Sequence, residues 1–325
     1  MELLHSFTIN TAKSISDSSE IQTFFSTTFV QLALKHDFLL HCILALSAFH
    51  IVSPQGAAQS SSSIDMGRAT DEYLLTAYDH HESALKGYRC SLSNLNSESC
   101  HAIFGCACLL FITSFSRPSK NPFPSDQPDV SMGTGIWLDF QLSEWIILIK
   151  GLPSIVNHSE LLPVLRHGPM SPLMKARESM CKKDNFPSGK NVLAYSRLHD
   201  LSEALGKQSS DQHAVEICQS SLRTLHEVVE ELPQMHDTAL AFIWPMRATP
   251  DYLVLLEDKR PEALLVFAYY CALLQLMSSR WFIKGWPLSI LESIRDTIED
   301  KWIWLLGWPL ETVLDGQGPS WEHSR

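Results

Sequence analysis

Side chains able to move a proton or hold a metal are sparse in this chain, and their spacing points away from a conventional active site. His80, His81 and Glu82 adjoin one another in a helical stretch. Neighbouring helical residues project about 100° apart, so these imidazoles do not share a face, and the zinc-protease spacing of two histidines four apart is missing. The group reads as a solvated helix face. His36, His41 and His50 fall in one apolar run and read as hydrogen-bonded core or rim histidines, while Glu227, Glu230 and Glu231 read as a wet helix face. There is no Gly-x-Ser-x-Gly elbow, no cysteine in an electropositive turn beside a histidine, and no glycine-rich phosphate cradle. The eight cysteines contain no Cys-x-x-Cys pair, and Cys106-x-Cys108 has no second half, so neither a metal nor a cofactor is expected.

The chemistry that remains is that of shape and desolvation. Trp137, Phe140, Trp145, Phe242, Trp244, Tyr269, Tyr270, Trp281 and Trp286 form a large aromatic set, able to build a core and to line an apolar ligand pocket between helices. A second reading makes the chain a cyclase or isomerase acting on a terpenoid or polyketide-like substrate in such a pocket. His50, His81, Asp139 and Glu144 would then be the candidate acids or bases.

Long apolar runs at helical spacing must position these residues, and no alternating stretch bounded by turns reads as a strand. The expectation is an all-α chain, one large irregular bundle of helix pairs over residues 1–325. Helices are expected over 36–52, 71–95 with Thr70 as cap, 101–115, 136–152 ended by Pro153, 192–205, 211–232 and 239–244. Flexible loops are expected near 54–68 and 117–135, and a loop-rich middle of short helical turns over 157–190. Thr249-Pro250-Asp251 and Pro261-Glu262 are helix starts, the first with a capping threonine. From Arg260 to Pro309 the chain reads as two long helices joined at one Gly-Trp-Pro and closed by a second.

With 325 residues, 45% hydrophobic and 19% charged, the chain can bury a large core unaided. A formal charge of −11 argues against direct nucleic-acid binding, which needs clustered Lys and Arg. The N-terminus does not read as a signal peptide, and the longest uncharged apolar run, 264–277, is too short to span a bilayer. Cysteines set in apolar runs fit a reducing compartment. The expectation is an intracellular, unsecreted protein.

The segments LLHCILALSAFHIV (39–52), YLLTAYDHHESALKGYR (73–89) and SESCHAIFGCACLLF (97–111) resemble the N-terminal half of the fungal-specific regulatory domain of zinc-cluster transcription factors. PDYLVLLEDKRPEALLVFAYYCALL (250–274), RWFIKGW (280–286) and WLLGWP (304–309) are similar to its closing part, nearest the sterol-uptake-control regulators. The resemblance implies an all-helical effector domain acting in the nucleus, homodimerisation, and an apolar, sterol- or terpenoid-like ligand. The family's six-cysteine DNA-binding cluster does not precede the domain in this sequence. Given that departure, the chain is expected either to act through a DNA-binding partner protein or to be a sequence from which the DNA-binding segment is missing, and to work in the nucleus or the cytoplasm.

Overall fold

Between His36 and Ser53 almost every third or fourth residue is apolar and so are most of those between, a pattern that only a helix buried on nearly all sides accommodates. That helix, Asp37–Val52, is the centre of the first half of the molecule: nine of its side chains, from Leu39 to His50, are buried. The computed structural model describes residues 1–59, 66–117, 134–156, 158–181, 192–231, 239–275 and 280–314. Among them every regular element is helical and no strand occurs.

In chain order these are α1 (Glu2–Ser6), a π-helical turn Phe7–Thr11, α2 (Ala12–Ser14), α3 (Ser19–Ser26), α4 (Thr28–Ala33), α5 (Asp37–Val52), α6 (Pro54–Gln59), α7 (Met66–Leu92) and α8 (Cys100–Ser116). Then come α9 (Thr134–Val156), α10 (Leu161–His167), α11 (Ser171–Cys181), α12 (Val192–Gln208), α13 (Gln212–Glu231), α14 (Ala239–Arg247), α15 (Pro250–Glu257) and α16 (Pro261–Leu274). The chain closes with α17 (Trp286–Thr297), α18 (Asp300–Ile303), a 3-10 turn Trp304–Leu306 and α19 (Gly307–Leu314). Two compact units result: one comprises residues 1–123, 147–182 and 280–282, the other 124–146, 183–279 and 283–325.

In the first unit α5 packs along α7 and α8, and small residues set the spacing. A Cβ at Gly87 would stand 2.5 Å from that of Phe38, and one at Gly105 would stand 2.7 Å from Phe29 and 3.0 Å from Met170. Gly105 is thus the close-approach point of α8. In the second unit α13 and α16 carry the core, and α16 buries all its residues from Glu262 to Leu274.

Several sequence expectations need correction. Residues 54–59 are helical and α7 already begins at Met66, so the expected loop over 54–68 holds helix at both ends and Thr70 lies inside α7. Helix α9 runs through Pro153 to Val156; a proline in the last turn removes one backbone bond, and burial of Leu152 and Ile155 on either side of it offsets that loss. The amphipathic helix after the first Gly-Trp-Pro stops at Thr297, and the second Gly-Trp-Pro opens α19 rather than closing a helix. In both cases the proline fits the first turn, where its missing N–H has no intrahelical partner. The expected loop over 117–135 lies mostly in residues 118–133, outside the described ones. The middle region contains α10 and α11, whose Leu161, Leu165 and Met174 are buried.

Candidate functional site

In the first unit the π-helical turn and the end of α5 bring Thr11 and His50 together. His50 Nδ1 is 3.0 Å from Thr11 Oγ1. The imidazole is 1% exposed and its Nε2 has no hydrogen-bond partner among the described residues. Burial without a compensating charge disfavours the imidazolium, and the pKa falls to about 4. Trp281 covers the ring at 4.7 Å between centroids and donates its indole N–H to Ser14 Oγ at 2.9 Å, while Arg280 pairs with Asp17. This is a neutral, packed histidine, held by a hydroxyl and an indole.

His81 is also buried, at 4% exposure, so the solvated-face reading of His80-His81-Glu82 fails. The physical reason is its register: Leu74, Ala77, His81, Ala84 and Tyr88 form one stripe of α7, all buried. His80, half-buried, turns to α5, where its Nδ1 lies 2.7 Å from Nδ1 of His41. Burial first, and then the His41 charge, lowers the His80 pKa. Beside this pair, Cys42 and Cys106 bring their sulfurs within 2.9 Å, both buried. Burial raises the Cys106 thiol well above its ordinary range and that of Cys108 to about 12, so neither is a ready thiolate.

In the second unit much of the expected aromatic set converges. Trp244 Nε1 donates to the Ser221 carbonyl at 3.2 Å, and its ring lies 4.5 Å from that of Tyr270. Tyr270 is 6.1 Å from Trp145, which meets Phe267 at 4.8 Å, and Phe267 meets Trp286 at 6.1 Å. Trp145, Trp244, Tyr270 and Phe267 are each 0% exposed. Trp281 belongs to the first unit. Glu144 is buried, on α9 beside Trp145 in sequence. Trp137, Asp139 and Phe140 on α9 and Phe242 on α14 lie outside the residues whose side chains are described.

Tyr269 faces elsewhere. Its ring packs on Trp308 at 5.1 Å, and both line an open cavity of about 630 Å³. Trp304 and Leu305 complete the aromatic and apolar wall, and α12 supplies the opposite one with Arg197, Asp200, Glu203, Ala204, Lys207 and Gln208. Burial raises the Tyr269 hydroxyl pKa, with Arg197 opposing and Asp200 adding to the effect. Of the expected ligand-binding residues whose side chains are described, only Tyr269 borders this cavity; Trp304 and Trp308, which line it too, were not among those expected. The signal for them was present in WIWLLGWP, where two tryptophans stand four residues apart. Among the described residues no group of three or more His, Cys, Asp or Glu is placed to hold a metal ion, and no helix is long and apolar enough to cross a membrane.

Residues 2–128 match the model of the fungal specific transcription factor domain. A "Zn(2)-C6 fungal-type transcription factor" of Gibberella zeae is 21% identical over 335 aligned residues, covering 97% of this chain and 62% of that protein. The "Zn(2)-C6 fungal-type transcription factor afumD" of Aspergillus fumigatus is 22% identical over 277 residues, covering 81% of this chain and 64% of that protein. The chain is thus similar over most of its length to Zn(2)-C6 fungal-type transcription factors, and it spans a little under two thirds of the length of each of these two.

Proposed function

We propose that this chain is the effector part of a fungal transcription regulator, acting in the nucleus together with a protein partner and responding to an apolar small molecule. The observation that carries this reading is the similarity to a Zn(2)-C6 fungal-type transcription factor across 97% of the chain, both helical units included. The chemistry of the described residues agrees with a binding role. His50 is buried and neutral, burial holds the Cys106 and Cys108 thiols protonated, and the large rings are placed for packing. A sterol- or terpenoid-like ligand would enter the aromatic cluster of the second unit by parting rings whose centroids stand 4.5 to 6.1 Å apart. Opening of that kind is how such a ligand would alter the surface offered to a partner.

The test is to incubate the purified chain with lipid and biosynthetic-precursor extracts and to identify by mass spectrometry what it retains or alters. An effector retains a compound unchanged. A compound converted by the chain, and not by a heat-unfolded control, overturns the proposal in favour of an enzyme.

A further inference from the structure

The cavity between α12 and the Trp304–Trp308 segment has a composition that packing alone does not explain. Trp304 is 64% exposed, although an indole offers 150–250 Å² of mostly apolar surface to any contact that covers it. Across from it Arg197, Asp200, Ala204 and Lys207 lie at successive turns on one face of α12. The Lys207 charge is matched, since its Nζ holds Glu203 at 2.9 Å. Arg197 and Asp200 are different: neither holds a hydrogen bond or ion pair with a described residue, yet both charges act on the hydroxyl of Tyr269, which also lines the cavity. Two opposite, unengaged charges therefore stand one turn apart, facing an aromatic wall.

We propose that this cavity binds a small zwitterion with an aromatic body, the chemical class of an aromatic amino acid. Its carboxylate pairs with the Arg197 guanidinium, its ammonium with the Asp200 carboxylate, and its ring lies against Trp304 and Trp308. The planar guanidinium matches a carboxylate in a two-pronged fashion, and the indoles offer both stacking area and a negative face to the ammonium. A sterol would cover both charges and satisfy neither, which is costly. A simple anion would meet Asp200 and a simple cation Arg197, so a ligand carrying both charges is the one that leaves no group opposed. About 630 Å³ is ample for such a molecule and lies within the usual range for small-molecule sites.

The test uses the full chain and three probes: L-phenylalanine, phenethylamine, which lacks the carboxylate, and phenylacetate, which lacks the ammonium. Binding is read by calorimetry and by the change in tryptophan fluorescence of the chain that is absent in a Trp304→Phe variant, since none of the probes contains an indole. L-Phenylalanine is expected to bind one to one, and each truncated probe about tenfold more weakly or worse, the loss of one charge-assisted contact. Arg197→Gln is expected to weaken L-phenylalanine and phenylacetate while sparing phenethylamine, and Asp200→Asn to weaken L-phenylalanine and phenethylamine while sparing phenylacetate. Both side chains are exposed on a helix surface, so unchanged melting temperatures are expected and are checked alongside. Equal affinity for the amino acid and either truncated probe overturns the assignment. So does indifference to both substitutions, or no binding of any of the three at millimolar concentration.

Discussion

The imidazole of His50 lies under the indole of Trp281, 4.7 Å between ring centroids, although 231 positions separate them in the chain. The contact ties residues 280–282 to the first unit at the end of α5, with the indole N–H fixed by Ser14 on α2. A short segment from late in the sequence thus completes the core of the first unit. Trp281→Ala is expected to lower stability by about 3 to 5 kcal/mol, through loss of a large buried ring and the cavity left behind. Trp281→Phe should recover most of that and lose only the hydrogen bond, about 1 kcal/mol. Urea melts of the two variants against the parent chain provide the comparison.

The same histidine makes stability depend on pH. Its pKa in the folded chain is about 4, below the ordinary value of 6.5. Between these values the unfolded chain takes up a proton that the folded chain refuses. The stability is therefore fully present above pH 6.5 and is lost as pH falls toward 4, by about 1.4 kcal/mol per unit from this residue. His36, His80 and His101 are also shifted down, with burial the main cause, and act in the same direction. His50→Leu should flatten the curve over that interval relative to the parent chain. Parallel slopes in the two proteins would remove His50 from the account.

The two Gly-Trp-Pro motifs are alike in sequence and differ in backbone. Gly285 sits at φ 87° in the left-handed region, whereas Gly307 begins α19 with φ −53° and open space where a Cβ would go. Gly285→Ala is expected to cost about 1 kcal/mol or more, and Gly307→Ala to be neutral or to stabilise by up to about 1 kcal/mol. Thermal melts of the pair read this contrast directly.

Thr249 accepts a hydrogen bond from the Tyr252 N–H at 3.3 Å and caps α15. Thr249→Ala should cost about 1 kcal/mol, and Thr249→Ser much less. Equal loss in both variants would point to the threonine methyl rather than the hydroxyl.

We propose that the two units unfold together, as one domain over residues 1–325. The chain passes between them repeatedly, and α9 is one unbroken helix whose first part belongs to one unit and whose last part belongs to the other. Scanning calorimetry should then show a single transition with equal calorimetric and van't Hoff enthalpies. Two resolved peaks would contradict it.

The helices were legible because their signals are local and redundant. Thr249-Pro250-Asp251 states a cap, a first-turn proline and an early acid in three residues, and α5 and α16 are too apolar throughout to be anything but buried. The burial of His81 was also written in the sequence, at the spacing of Ala77 and Ala84, but the polarity of His80 and Glu82 beside it pulled the reading toward solvent. The pairing of His41 with His80, or of Cys42 with Cys106, could not be read, because it depends on the rotation of one helix against another and not on either helix alone. The cavity was missed for the opposite reason. Arg197 and Asp200 look like an ordinary solvated face until Trp304 and Trp308 are placed across from them, and the aromatic residues with the strongest helical spacing proved to be those that pack on one another.

The central claim is that this chain is an effector of transcription. Its most direct test fuses residues 1–325 to a DNA-binding module of known target site and reads a reporter gene behind that site in a fungal host. Reporter expression well above or well below that of the module alone is the predicted result. Expression indistinguishable from the module alone, with the fusion folded and equally abundant, would contradict it.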